Sequence, residues 1–249
     1  MEKTYKTAQV AKLIGIHPNT VRLYEELELI SKPVRLPNGY RIYTELHVDQ
    51  LRLARTAFRV EVLQNGLRKR MISIIKLSAK CEFEQAIQMT QSYIKLLQTE
   101  QKNAEEAIRM AEQLLAQASI EVSIETLTRR EVSDQLEISM DTLRNWEMNN
   151  LLEVKRKKNG YRVYTGDDIR RLKIIRSLRC ANYSLSAILR MMNALSDGKP
   201  IDLRKTINTP EENESIVSVC DKLFTSLDTA KANAADMLKL LHSMAGKYL

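Results

Sequence analysis

The chain is poor in the residues that build covalent and metal-bound scaffolds. It holds three cysteines in 249 residues, Cys81, Cys180 and Cys220, odd in number and far apart. That argues against a disulfide framework and fits a reducing cytosol. The three histidines, His17, His47 and His242, are scattered, and no CxxC or HExxH occurs, so little is left to ligate zinc. Glycine occurs seven times and never as GxGxxG or GxxxxGK, so no phosphate-cradling loop is written. No nucleophile–base pair and no carboxylate pair rises above background, and an enzyme is not expected. No stretch approaches the roughly 18 apolar residues of a membrane span. The opening MEKTYKTAQV lacks the apolar segment of a secretory signal. The expectation is a cytoplasmic protein, with no metal, no cofactor and no membrane partner.

What is present is charge and repetition. Lysine and arginine number 39 against 31 acidic residues, a formal net charge of +8 with pI near 9.3. That surplus favours a polyanionic partner, nucleic acid first and anionic membrane second. The residues Asn38–Tyr43 read NGYRIY and Asn159–Tyr164 read NGYRVY. The agreement extends on both sides. Thr20-Val21-Arg22-Leu23-Tyr24-Glu25 faces Thr142-Leu143-Arg144-Asn145-Trp146-Glu147, Leu29-Ile30 faces Leu151-Leu152, and Leu51 faces Leu172. A unit of roughly 70 residues is duplicated inside the chain.

Each copy has the same local grammar. A short helix is expected over about Thr7–Leu13, and over Thr128–Leu136 in the second copy. A tight turn follows at Gly15-Ile16, where glycine tolerates positive φ; the second copy has Glu137 there. The next helix opens at His17-Pro18-Asn19-Thr20, with proline suited to its first turn. In the second copy Ser139 can cap and Asp141 sits in the positive first turn. Two short helices around a tight turn read as helix-turn-helix. A basic segment then leads to Asn-Gly, a hairpin signal, followed by β-branched and aromatic residues that favour a strand. The fold class expected is mostly α with small β wings: two winged helix-turn-helix domains, each followed by a long coiled-coil-like helix.

These residues resemble the DNA-binding domain of the MerR family of bacterial transcription regulators. The resemblance rests on Val10-Ala11, on the Thr20–Glu25 and Thr142–Glu147 runs, and on the two NGYR-x-Y phrases. It extends to Tyr183-Ser184-Leu185-Ser186-Ala187-Ile188. The usual member resembles one such domain, then a long helix pairing antiparallel with its twin in a homodimer, then a sensor region. Here two DNA-binding units share one chain. Copy one departs at Arg59-Val60-Glu61-Val62-Leu63, which lacks the family's Gly-aromatic-Ser-Leu pattern, and copy two has Asn182 where the family often has glycine.

Apolar residues recur at spacings of three and four from Phe83 through Ile87, Thr90, Ile94, Leu97, Gln101, Ala104, Ile108, Ala111, Leu115 and Ala118. A similar series runs from Ile216 through Cys220, Leu223, Leu227, Ala230, Ala234, Met237, Leu241 and Met244, opened by Pro210-Glu211-Glu212. A lone amphipathic helix cannot bury its own stripe. The two helices are expected to pair within the chain, imitating the family dimer, with a true homodimer as the rival arrangement. The domains expected are 1–78, 79–119, 120–200 and 201–249. Nothing is left for a sensor region, so an effector pocket has no obvious home.

The resemblance implies double-stranded DNA as the partner and nominates the contact residues. On the first recognition helix these are His17, Asn19, Thr20 and Arg22; on the second, Ser139, Asp141, Thr142 and Arg144. Tyr24 and Trp146 lie near the DNA backbone in the family, or pack the wing as core. Arg41 and Arg162, with Tyr43 and Tyr164, are assigned to phosphate, although the tyrosines read equally as core. Arg35 and the dense run Lys155-Arg156-Lys157-Lys158 make wings of unequal strength. Different helix faces should read different bases, so the target is expected to be an imperfect palindrome. In the family, activators bind between promoter elements and distort the spacer so that RNA polymerase engages both. The reading is therefore a sequence-specific, nucleoid-associated transcription regulator built as a covalent pseudo-dimer. An architectural or DNA-segregation protein that bends or bridges DNA is the second reading, and a protein–protein adaptor the third. Some members bind metal through a cysteine placed as Cys81 is, but no partner cysteines follow here. Cys220 reads as a small buried hydrophobe.

Overall fold

The computed structural model describes residues 3–59, 66–116, 126–156, 160–196, 202–209 and 222–249. They divide into two compact units. The first comprises Met1–Thr99 together with Ser226–Leu249, and the second comprises Glu100–Thr225.

The first unit opens with a two-residue strand, β1 (Thr4–Tyr5), then α1 (Thr7–Ile14) and α2 (Pro18–Glu26). Gly15 stops α1 at φ 73°, and the Ile16 N–H reaches back to the Ala11 carbonyl at 3.0 Å. Pro18 opens α2, capped by His17, whose Nδ1 accepts the Asn19 N–H at 3.2 Å. The wing is β2 (Val34–Arg35) antiparallel to β3 (Arg41–Thr44). Its turn is one residue longer than the two-residue loop that Asn-Gly signals. The Gly39 N–H bonds the Leu36 carbonyl at 2.8 Å, and Gly39, not Asn38, takes positive φ. That is the three-residue hairpin with glycine in the left-handed position. β1, which no sequence signal announces, covers the other edge of β3 and pairs Tyr5 with Tyr43. α3 (Glu45–Ala57) and α4 (Leu67–Ala79) complete the domain. Gln50 on α3 ties α4 to the segment that follows α2: it accepts from the Ser31 N–H at 2.8 Å and donates to the Ser78 carbonyl at 2.9 Å.

The second unit repeats the plan with α6 (Arg129–Leu136), α7 (Met140–Met148), β4 (Lys155–Arg156), β5 (Arg162–Val163), α8 (Gly166–Cys180) and α9 (Leu185–Ser196). Thr128 caps α6 in a reciprocal box with Glu131, and Ser139 caps α7 by accepting the Thr142 N–H at 3.0 Å. Glu137 takes the left-handed conformation that Gly15 takes in the first copy, φ 50°. Asn182, where glycine is the family habit, has φ 67°; asparagine is among the few residues that tolerate this region. The counterpart of β1 is a single antiparallel bridge, Leu127 to Tyr164.

The long helices are α5 (Phe83–Ala116) and α11 (Leu223–Tyr248). On α5 the buried face runs through Phe83, Ala86, Thr90, Tyr93, Leu97, Ala104, Ile108 and Ala111. Ala86 and Tyr93 replace the expected Ile87 and Ile94, which are half-buried on its flank. Three–four spacing admits both series, and the more apolar residues were the wrong guide. On α11, Leu223, Leu227, Ala230, Ala234, Met237, Leu241 and Met244 are all buried as expected; Ile216, Cys220 and the Pro210–Glu212 opening lie outside the described residues. A short helix not separated in the sequence reading, α10 (Leu203–Asn208), precedes α11 and packs on α9. The buried Arg190 ends it, donating to the Thr206 and Ile207 carbonyls at 3.0 and 3.2 Å.

Candidate nucleic-acid interface

The second helix of each helix-turn-helix presents a polar outer face. Asn19 and Arg22 are exposed on α2, with the Arg22 guanidinium donating to Asn19 Oδ1 at 3.1 Å; Thr20 is half-buried. Asp141 and Arg144 are exposed on α7, and Thr142 is half-buried. His17 and Ser139 are exposed but engaged as caps, so their first duty is to start the helix. Of the eight nominated helix positions, six are exposed and Thr20 and Thr142 are half-buried.

The wing arginines are held from beneath by a carboxylate that the sequence reading did not single out. Glu25, with its side chain 11% exposed, receives Arg41 Nε at 2.5 Å and Arg35 at 3.3 Å. Glu147, 8% exposed, occupies the matching position on α7 and receives Arg129 at 2.5 Å and Arg162 at 2.9 Å. The Tyr164 hydroxyl also donates to Glu147. A carboxylate so little exposed needs cationic partners, and here they lock the wing to the recognition helix. The Glu25 hydrogen bond raises the Arg41 pKa further, so this guanidinium stays charged. The signal was in the sequence: Glu25 and Glu147 are identical within the duplicated run.

Four nominated aromatics lie in the core. Tyr24 is 7% exposed, Trp146 4%, and Tyr43 and Tyr164 are fully buried. Tyr24 meets Phe58 edge-on with ring centroids 6.0 Å apart. Of the two readings the sequence allowed for these residues, burial favours the core one. The exposed aromatics of the repeated phrase are instead Tyr40 and Tyr161, 67% and 73% exposed beside the turn glycines. Period-two alternation along β3 explains the exchange, because residues 40 and 43 fall on opposite faces. Lys155 is exposed at the base of the second wing; Lys157 and Lys158 lie outside the described residues, and for Arg156 only the backbone is described.

A further basic group lies at the start of α4, where Arg68, Lys69 and Arg70 are exposed with no acidic residue in the first turn. Cations are unfavourable at the positive end of a helix, so this basic group does not serve the helix dipole. α8 has the ordinary arrangement, with Asp167 and Asp168 in its first turn. Among the described residues no group of three or more His, Cys, Asp or Glu is placed to hold a metal ion. None of the described helices is long and apolar enough to cross a membrane.

A helix-turn-helix pair with a wing clamped to its second helix, present twice, defines a winged-helix protein of duplicated design. Comparison with known proteins identifies the type. Residues 6–43 match the model described as MerR family regulatory protein, and residues 127–195 match that of the MerR HTH family regulatory protein. Two segments of the chain thus carry helix-turn-helix domains of the MerR type. Among curated relatives, the HTH-type transcriptional regulator CueR of Yersinia pestis is 45% identical over 53 residues, 21% of this chain and 38% of that protein. CueR of Vibrio cholerae is 47% identical over 53 residues, with the same shares. The mercuric resistance operon regulatory protein of Bacillus cereus is 30% identical over 77 residues, 31% of this chain and 58% of its own. The matched segments thus cover less than two thirds of each of these relatives. No solved structure matches significantly.

Proposed function

We propose that the chain is a DNA-binding transcription regulator in which one polypeptide does the work of a two-subunit regulator. Each helix-turn-helix unit lays α2 or α7 in a major groove, and the clamped wing reaches the flanking backbone. Arg22 and Arg144 take the base edges. Arg41, Arg162, Lys155 and the exposed start of α4 take phosphates, with Tyr40 and Tyr161 at the wing tips. α5 and α11 pair antiparallel within the chain and space the two units so that both engage one promoter site and distort it. RNA polymerase then finds its two elements in usable register.

The observation that carries this reading is the Glu25 and Glu147 clamp. In both copies a buried carboxylate on the recognition helix fixes two arginines beside or on the wing, so both copies are built for the same task. Support for one chain acting as two subunits comes from the C-terminal helix. Lys247 Nζ and the Tyr248 hydroxyl both bond Asp49 Oδ2 on α3, at 3.0 and 2.7 Å, within the first unit.

The test is genome-wide binding at nucleotide resolution followed by footprinting and mass measurement of the purified complex. The expected result is a few promoter sites, each with two unlike halves covered by one chain. Arg22→Ala should cost about 1–3 kcal/mol and relax readout in one half, and Arg144→Ala should do so in the other. Two chains per site with identical inverted halves would overturn the pseudo-dimer. Numerous sites outside promoters would replace regulation by an architectural role.

A further inference from the structure

A cavity of about 730 Å³ opens in the second unit between the C-terminal part of α5, the end of α6 and one side of α8. Its apolar wall is Ala107, Met110, Leu114 and Leu136. Met110 is 44% exposed, which is unusual for so large an apolar side chain on a helix that otherwise turns its apolar face inward. On the α8 side stand two cations, Lys173 and Arg176, followed one turn on by the exposed thiol of Cys180. Among the described residues Arg176 pairs with Glu137 at 3.0 Å, with side-chain exposures of 40% and 79%. Such a pair exchanges easily for another anion. The volume falls in the range of sites for organic molecules, about 300–1,000 Å³.

We propose that this cavity binds an amphipathic organic anion, its apolar body against Met110 and Leu114 and its acidic group at Lys173 and Arg176. The charge decides between this and a neutral apolar ligand. Among the described residues two cations line the cavity against one carboxylate, Glu106, and Glu106 already faces Arg109 at 3.2 Å. A bound molecule would touch α6, the first helix of the second helix-turn-helix, and α8, which follows its wing. Occupancy therefore sets how firmly α5 is braced against that domain. This gives the chain a ligand site without a separate sensor region, and it does not depend on the DNA reading.

The test uses the full-length protein and two fluorescent probes of nearly equal shape. One is 8-anilinonaphthalene-1-sulfonate; the other is N-phenyl-1-naphthylamine, which lacks the sulfonate. The expected result is one saturable site with the sulfonate bound at least about fivefold more tightly. Lys173→Glu, at an exposed position, should abolish that preference. Met110→Glu should weaken both probes. Saturating sulfonate should slow alkylation of Cys180 by iodoacetamide and leave the rate at Cys81 unchanged. Absence of saturable binding overturns the proposal, as does binding that leaves Cys180 as reactive as before. Equal affinity for the two probes rejects the anionic ligand class.

Discussion

At the scale of single residues, the second domain concentrates its electrostatics on Glu147. Two guanidiniums and a phenol converge on a carboxylate that is 8% exposed. Glu147→Gln keeps one acceptor and removes the charge, leaving Arg129 and Arg162 to be rehydrated at partial exposure. The expected loss is about 1–3 kcal/mol of stability, read as a lowered urea midpoint. The buried phenols make a separate prediction. Burial pushes both Tyr93 and Tyr164 up to about 12, and Glu147 reinforces the shift at Tyr164. These folded-state values lie above the ordinary value near 10, so the native state keeps protons that the unfolded chain releases. Their contribution is complete below about pH 10 and is lost as pH rises through about 12. Stability should fall across that alkaline window, and ultraviolet titration should show a late tyrosine class. A single late-titrating class absent from the spectrum would contradict the burial of these rings. At this scale the sequence was half legible. Residue types and their duplication nominated the arginines, but strand alternation decided that Tyr43 is core and Tyr40 is surface.

At the scale of elements, the copies differ most usefully at the turn between their first two helices. Gly15 and Glu137 occupy the same left-handed position, φ 73° and 50°. A side chain there costs about 1–2 kcal/mol. The Glu137–Arg176 pair returns little because both groups are well exposed. Glu137→Gly should therefore raise stability by about 0.5–1 kcal/mol. Gly15→Glu should lower it by about 1 kcal/mol, since no atom lies within 4 Å of the added Cβ and only the backbone is strained. Thermal unfolding of the two variants should move in opposite directions. Elements with strong local signals, such as the capped α1, α2, α6 and α7, were readable in advance. β1 and α10 were not. β1 is two residues long and owes its pairing to the edge of β3, while α10 is six residues held by Arg190 from another helix. On α5 the pattern fixed the helix and most of its buried face, Phe83, Thr90, Leu97, Ala104, Ile108 and Ala111, but alanine and tyrosine took two positions from isoleucines.

At the scale of the molecule, duplication was visible in the letters but the partition into compact units was not. All but the first three residues of α11 belong with the first unit, where Lys247 and Tyr248 hold Asp49 and Tyr248 lies 6.4 Å from Phe83 between ring centroids. Sequence periodicity carries no information about which stretch of a long helix joins which domain. Asp49→Ala should cost the first unit about 1–2 kcal/mol. Hydrogen exchange should quicken in α3 and at the end of α11 while α6–α9 keep their protection. Equal quickening in both units would mean that the chain unfolds as one block.

The partition also imposes an order of events during synthesis. Residues 100–225 form a continuous unit and can fold as soon as they leave the ribosome. The first unit is interrupted: residues 1–99 emerge early, but 226–249 arrive last. Ribosomes add about 5–20 residues per second, so the domain made first waits on the order of ten seconds for its closing segment. During that wait Asp49 lacks its bonds from Lys247 and Tyr248, and Phe83 lacks the Tyr248 ring. The domain translated first is the one completed last.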